Sequence, residues 1–416
     1  MRKLISYLVF LFGVCIPFFV VGPRISNGLW LSPSILIGVL LVATSVLVQG
    51  LTIRIVFLSI MLFVFALTSA GRHAPDTYLF SLLMLFAVMA PMCVRSISGE
   101  QAKWLKVGFI CGLLITLVLV WIEILSQVFA QDYIYRFVGN LFAGLEPRMN
   151  PHNHFVLYQR PQVAFSEPAH LAIYLSASLL ILDLIGSRLT GFLRLATCLT
   201  IIAVGSMVGY VLLMAYVLLK LYNACYSSGL KINVIQISSI AFVLFGFGLL
   251  SMVLLKSTVF MEVIDKIFGR IMKTLDVLRS GDLVGSEASR VNVLPVLMDY
   301  WRIEGFPGVF FGTGYGNASD WLITNYGHLG GQATVGRGHF DNILVGISLT
   351  TGIFGLVFYM LFTVLCISRV GKENFFLIFI IFILLNFSTG FLIAYPIWHL
   401  MAIILLIAGA HKASRK

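Results

Sequence analysis

Apolar residues run along this chain in long blocks separated by short polar breaks, a pattern that predicts helices of membrane-crossing length. The blocks fall at residues 4–22, 33–49, 52–70, 76–94, 106–129, 169–185, 191–205, 207–222, 233–255, 341–365, 375–392 and 396–410. The stretch 191–222 is too long for one crossing and short for two, and Gly205-Ser206 supplies the break. Twelve crossings predict an all-α, polytopic membrane helix bundle, one integral domain over residues 1–416, with both termini on the same side. Two polar stretches interrupt the pattern, at 130–168 and 256–340, and the count places both on the side opposite the termini. Within the second, Val259, Phe260, Val263, Ile264, Ile267, Phe268, Ile271, Leu275 and Leu278 recur at helical spacing among Lys266, Arg270, Lys273 and Arg279. That predicts an amphipathic helix over 258–279, which either caps the bundle or lies in the headgroup layer.

Composition sharpens this picture. Hydrophobic residues make up 59% of the chain and charged residues 11%, with a mean hydropathy of +0.99. A soluble domain carries about 25% charged residues, so lipid must cover most of this surface. The N-terminus, Met1-Arg2-Lys3 and an apolar run, imitates a signal peptide. With no small-x-small site before Gly22-Pro23, it reads as the first crossing.

The net charge of +11 would suggest nucleic acid in a soluble protein, but here the short loops explain much of it. Arg2, Lys3, Arg54, Arg95, Lys103, Lys106, Arg188, Arg194, Lys220, Lys231, Arg369, Lys372, Lys412, Arg415 and Lys416 fall on the side of the termini. Short loops on the other side hold only Arg24 and Arg72. The bias puts the termini in the cytoplasm and both large loops outside, where long loops escape the rule and their basic residues are free to serve another purpose. The six cysteines lie outside both large loops and form no C-x-x-C, which gives no support to zinc or redox chemistry.

Candidate chemistry concentrates in the two loops. In the first, Arg160 precedes Phe165-Ser166-Glu167-Pro168 and His170. Ser166 and Pro168 read as a helix start. Glu167 either belongs to that start or acts as a base or hydroxyl ligand at the mouth of the bundle. His170 shares a helix face with Glu167, which favours a core histidine satisfied by that carboxylate. The second loop carries Ser289-Arg290, the run Phe311-Gly312-Thr313-Gly314-Tyr315-Gly316, then Arg337, His339, Asp341 and Asn342. The glycine run lacks dinucleotide spacing; it reads as a tight turn toward the membrane or, more weakly, a backbone nest for an anion. His339 beside Arg337 and Asp341 can take a proton near neutral pH. Arginine forks suit a pyrophosphate, and Arg148, Arg160, Arg290, Arg302 and Arg337 are the outer candidates, Arg148 and Arg302 the weakest. His152-Asn153-His154 lacks a nearby carboxylate, so no metal site is expected, and no Asp-x-Asp pair exists.

Taken in order, these segments resemble the bacterial O-antigen polymerase and O-antigen ligase superfamily. The likeness rests on Arg160 with Phe165-Ser166-Glu167-Pro168, Ser289-Arg290, Phe311 to Gly316, and His339-Phe340-Asp341-Asn342 leading into Gly352-Ile353-Phe354-Gly355, over roughly residues 150–365. The resemblance implies a GT-C-like membrane glycosyltransferase of lipopolysaccharide biosynthesis in the bacterial cell inner membrane, with a periplasmic active site. Its donor and acceptor would be undecaprenyl-pyrophosphate-linked oligosaccharides, with no cofactor, no metal and no nucleic acid. Membrane lipid and a chain-length regulator protein are the further partners. A polymerase is the leading expectation; a ligase that moves glycan onto lipid A-core, or a lipid-linked glycan flippase, are the alternatives. In the leading scheme Glu167 or His339 takes the acceptor proton. Arg160 and Arg290 hold the pyrophosphate and stabilise it as it departs. Arg337, His170, Asp341 and Tyr315 complete the substrate contacts.

Overall fold

Ser32 shows how local sequence starts these helices. Its Oγ accepts a hydrogen bond from the Ile35 amide at 3.3 Å, and Pro33 occupies the first turn, where no N–H is needed. Helix α2 then runs Pro33–Gln49. The structure is a computed structural model. It describes residues 2–18, 24–26, 29–68, 78–95, 97–128, 165, 168–227, 269, 272, 276, 279, 293–314, 317–332, 342–368, 382, 386 and 396–414. The helices are α1 (Arg2–Cys15), α2, α3 (Ile53–Thr68), α4 (Tyr78–Met89), α5 (Gly99–Val128), α6 (Pro168–Ile185), α7 (Arg188–Val204) and α8 (Met207–Ser227). They continue with α9 (Val293–Phe311), α10 (Ala318–Tyr326), α11 (Ile343–Ile367) and α12 (Pro396–Ser414).

Among the described residues the architecture is helical, as the periodicity predicts, apart from one local hairpin. Arg24–Ser26 and Leu29–Trp30 pair as a short antiparallel hairpin. The residues that separate them in sequence, Asn27-Gly28, are the pair favoured in two-residue hairpin loops. Three helices among the described residues are long and apolar enough to cross a membrane: Gly99–Ser126, Pro168–Ile185 and Ile343–Ile367. Seven more apolar helices are shorter, Pro33–Gln49 and Ile397–Ala410 among them. These are the dimensions and composition of a membrane protein. The expected crossing at 233–255 and most of that at 375–392 lie outside the described residues. The break expected at 205–206 is present: Gly205 has φ 66° between α7 and α8.

The chain divides into two units. One comprises Met1–Thr116, Asp183–Ser187 and Thr274–Lys416; the other comprises Leu117–Leu182 and Arg188–Lys273. In the first unit, α1 meets the beginning of α5 with backbone against backbone. A Cβ on Gly13 would lie 2.6 Å from the Phe109 amide nitrogen, and one on Gly112 2.8 Å from the Val14 carbonyl oxygen. Gly108, one turn before Gly112, lies against the Phe10 carbonyl in the same way. Small residues spaced by four let apolar helices gain dispersion contacts where lipid offers no hydrophobic driving force. Helices α3 and α11 run antiparallel. The Arg54 Nε donates to the Leu365 carbonyl at 3.5 Å, the Phe57 and Phe358 rings lie 6.0 Å apart, and Phe65 abuts Gly355.

The core of this unit surrounds α12. Trp398 is fully buried and stands edge-on to Tyr359, with ring centroids 5.7 Å apart. Two of its polar side chains are joined: the Tyr359 hydroxyl donates to Asn386 Oδ1, and Asn386 Nδ2 donates to the Phe382 carbonyl at 2.7 Å. His399 is fully buried with its ring 5.1 Å from that of Phe12.

In the second unit, the Trp121 indole donates to Thr200 Oγ1 at 3.0 Å, and a Cβ on Gly209 would lie 2.9 Å from Ala172 Cβ. Buried hydroxyls on its helices return to their own backbone, Ser176 to Ala172 and Ser178 to Tyr174. This lets a polar side chain sit in an apolar helix without a bare donor.

The stretch 256–340 departs from the expectation of a polar loop at its later end, where α9 and α10 form an apolar layer. Val293, Val296, Leu297, Tyr300 and Leu322 are buried together with Val345 and Leu349 of α11. For the amphipathic helix expected at 258–279, the described residues Gly269, Met272, Asp276 and Arg279 are helical and exposed. Its apolar face lies outside the described residues.

Candidate functional site

Two of the sequence motifs meet. Helix α11 begins at its N-cap, Asn342, whose Oδ1 accepts from the Val345 amide at 3.2 Å, and it breaks at Gly352. Gly352 has φ 67° and ψ −170°, a conformation that side chains disfavour. Such a break frees carbonyls that would bond to amides four residues on. The glycine run after α9 takes up two of them: Thr313 N donates to the Leu349 carbonyl at 2.7 Å and Gly314 N to the Thr350 carbonyl at 2.9 Å. Only glycine fits at the crossing. A Cβ on Gly312, itself at φ 67°, would lie 2.6 Å from Gly352 N and from the Leu349 oxygen. A Cβ on Gly352 would strike the Phe310 carbonyl.

This junction decides between the two readings of the glycine run. An anion nest needs unspent amides aimed at the ligand. Gly312 N is bonded to the Gly308 carbonyl at 3.0 Å, and the next two amides go to α11. The segment 312–314 is a backbone clasp on a broken helix, so the nest reading fails there.

Of the expected site residues, His170 and the weaker candidate Arg302 are described. His170 lies in the first turns of α6, partly buried, on a helix that starts at Pro168 as expected. Phe165, just upstream, is buried with its ring 5.4 Å from that of Tyr174. Arg160, Glu167, Arg290, Tyr315, Arg337, His339 and Asp341 lie outside the described residues, as do Arg148 and His152-Asn153-His154. Arg302 is exposed on α9 and makes an ion pair with Asp299 at 3.2 Å.

Asp299 also ties α9 to α10. The Tyr326 hydroxyl donates to Asp299 Oδ2 at 3.1 Å, and the Trp321 indole donates to Glu304 Oε1 at 3.3 Å. Burial, then the hydrogen bond to Asp299 and its negative charge, push the Tyr326 phenol up to about 12, with Arg302 opposing. The phenol therefore ionises more readily in the unfolded chain. The stability that the shift represents is intact below about pH 10 and falls away as pH rises toward about 12. Between these values thermal unfolding should drop with pH more steeply in the wild type than in Tyr326→Phe. Parallel curves would remove this link between the two helices.

One acidic residue lies deeper than its sequence position indicates. Glu123, six residues before the end of the apolar block 106–129, is 4% exposed within α5. Carboxylates buried in membrane helices are costly and mark pathways or paired polar sites.

Comparison with family models of known proteins gives no match, and comparison with curated protein sequences gives none. The geometry defines a helical membrane protein with a clasped, broken helix at its candidate site.

Proposed function

We propose that the protein is a polysaccharide polymerase of the inner membrane, a GT-C-like bundle of about twelve crossings working at the periplasmic face. It joins repeat units carried on undecaprenyl pyrophosphate. An acceptor sugar hydroxyl attacks the anomeric carbon of the donor chain, the bond to the lipid pyrophosphate breaks, and the pyrophosphate leaves. Glu167 or His339 receives the hydroxyl proton, while Arg160 and Arg290 bind the departing phosphates. Arg337, Asp341, Tyr315 and His170 position the sugars, and a chain-length regulator is the protein partner.

The observation that supports this reading is the clasp itself. Gly314 and Asn342 both attach to α11, so the intervening segment, which carries Tyr315, Arg337, His339 and Asp341, is tethered at both ends to one membrane-spanning helix. Catalysis that relies on fixed charge needs such anchoring.

Deleting the gene and resolving the surface polysaccharide on a silver-stained gel tests the reading. Core bearing a single repeat is the expected result. Bare core with lipid-linked polymer accumulating would reassign the protein as a ligase. Bare core without that accumulation would favour a flippase, a reading to which the buried Glu123 lends support.

A further inference from the structure

Beyond Gly305 the face of α9 turned away from its partners is strongly apolar. Gly305, at φ 63° and ψ −153°, interrupts the helix, and Pro307 follows it. Ile303 is 57% exposed, Phe306 71% and Phe311 49%, while the Phe306 and Phe310 rings lie 4.4 Å apart. No residue from 305 to 319 is charged. In water such a patch would be a liability, and on a protein of this class it marks a contact with lipid or with another chain.

Its neighbours show which. The Phe311 ring lies 6.3 Å from that of Phe354 on α11, and Phe354 lies 5.9 Å from Phe358. Phe354 is itself 48% exposed, and the same surface continues through Val357 and Leu361 along a helix long and apolar enough to cross the bilayer. The patch is therefore continuous with a face that lipid must cover. The antiparallel pairing of α3 with α11 fixes its depth. Arg54 lies beside Leu365 at one end of the pair, and Phe65, close to the last residue of α3, abuts Gly355 at the other. The break at Gly352 thus stands level with the end of α3, where the hydrocarbon gives way to headgroups. Arg302 and Glu304, both exposed, stand at the start of the apolar run in the chain. Trp321, bonded to Glu304, supplies the amphipathic ring favoured at a membrane interface.

We infer that residues 303–311 are a monotopic wedge, buried in the headgroup–acyl boundary of the leaflet opposite Arg54, with bulk phospholipid as the occupant. The segment after the kink then holds the clasp at a fixed height in the membrane. The inference does not depend on the reaction catalysed.

A photoreactive benzoylphenylalanine at position 306 tests it, because that site is exposed and the analogue keeps a phenyl ring. The full-length protein is reconstituted in vesicles of phosphatidylethanolamine and phosphatidylglycerol and irradiated, and adducts are read by mass. The same analogue at Val357 reports a lipid-facing site, and at Asp320 a polar one. Phospholipid adducts at 306 in a yield close to that at 357, and several-fold above that at 320, are expected. A yield matching that at 320 would overturn the wedge. A crosslink between two chains would overturn it in favour of a second copy as occupant.

Discussion

Gly352→Ala will lower the thermal unfolding midpoint of the purified protein sharply, whereas Gly346→Ala in the same helix will not. The two glycines differ in what surrounds them. A Cβ at position 346 meets open space, so alanine there gains up to about 1 kcal/mol of helix propensity. At 352 the backbone sits at φ 67° and the added carbon runs into the Phe310 carbonyl. Positive φ with ψ near 180° is essentially confined to glycine and costs roughly 1–3 kcal/mol for other residues, and overpacking adds roughly 1–3 kcal/mol. Helix α11 would then have to straighten, which returns the Leu349 and Thr350 carbonyls to it and leaves the amides of Thr313 and Gly314 without acceptors. Melting followed by size exclusion in detergent measures the effect. A midpoint equal to that of the wild type would mean that the break is not held by this crossing.

The second large effect is expected on chemistry and not on folding. Arg290→Ala should remove long polysaccharide chains from the cell surface while membrane levels of the protein stay normal, and Arg160→Ala should do the same. Losing one fixed donor to a departing oxyanion lowers a rate by roughly 10²–10³. Lysine at either position should restore little, because a point charge cannot grip two phosphate oxygens as the planar fork does. Unchanged chain length in both alanine variants would end the polymerase reading.

Much of the helical layout is visible in the residues themselves. The apolar block 33–49 coincides with α2, because Ser32-Pro33 starts it and Gly50 stops it. Hydrophobic content alone does not reveal where a helix is broken. The block 341–365 reads as one uninterrupted crossing, since glycine is common in membrane helices, and the break at Gly352 exists because Gly312 and its neighbours fill it. The apolar pattern misses helix α9, which falls within the expected loop. Val293, Val296, Leu297 and Tyr300 fall at the spacing of one helical face, but Gly305 and Pro307 cut the run and the surrounding polarity suggests a loop. The candidate chemistry rests on residue types in sequence order. Among these residues the structure describes His170, partly buried near the start of α6, and beside the others it gives the bonds of Thr313, Gly314 and Asn342.

Gly312 to Gly314 precede α11 in the chain, and this order bears on biogenesis. Carbonyls freed at the edge of the hydrocarbon cost free energy until donors or water reach them. Here the donors, Thr313 N and Gly314 N, are synthesised before Leu349 and Thr350. The nascent chain carries its own template ahead of the segment that needs it, so α11 can enter the membrane already bent, without an interval as a straight rod that must later be snapped.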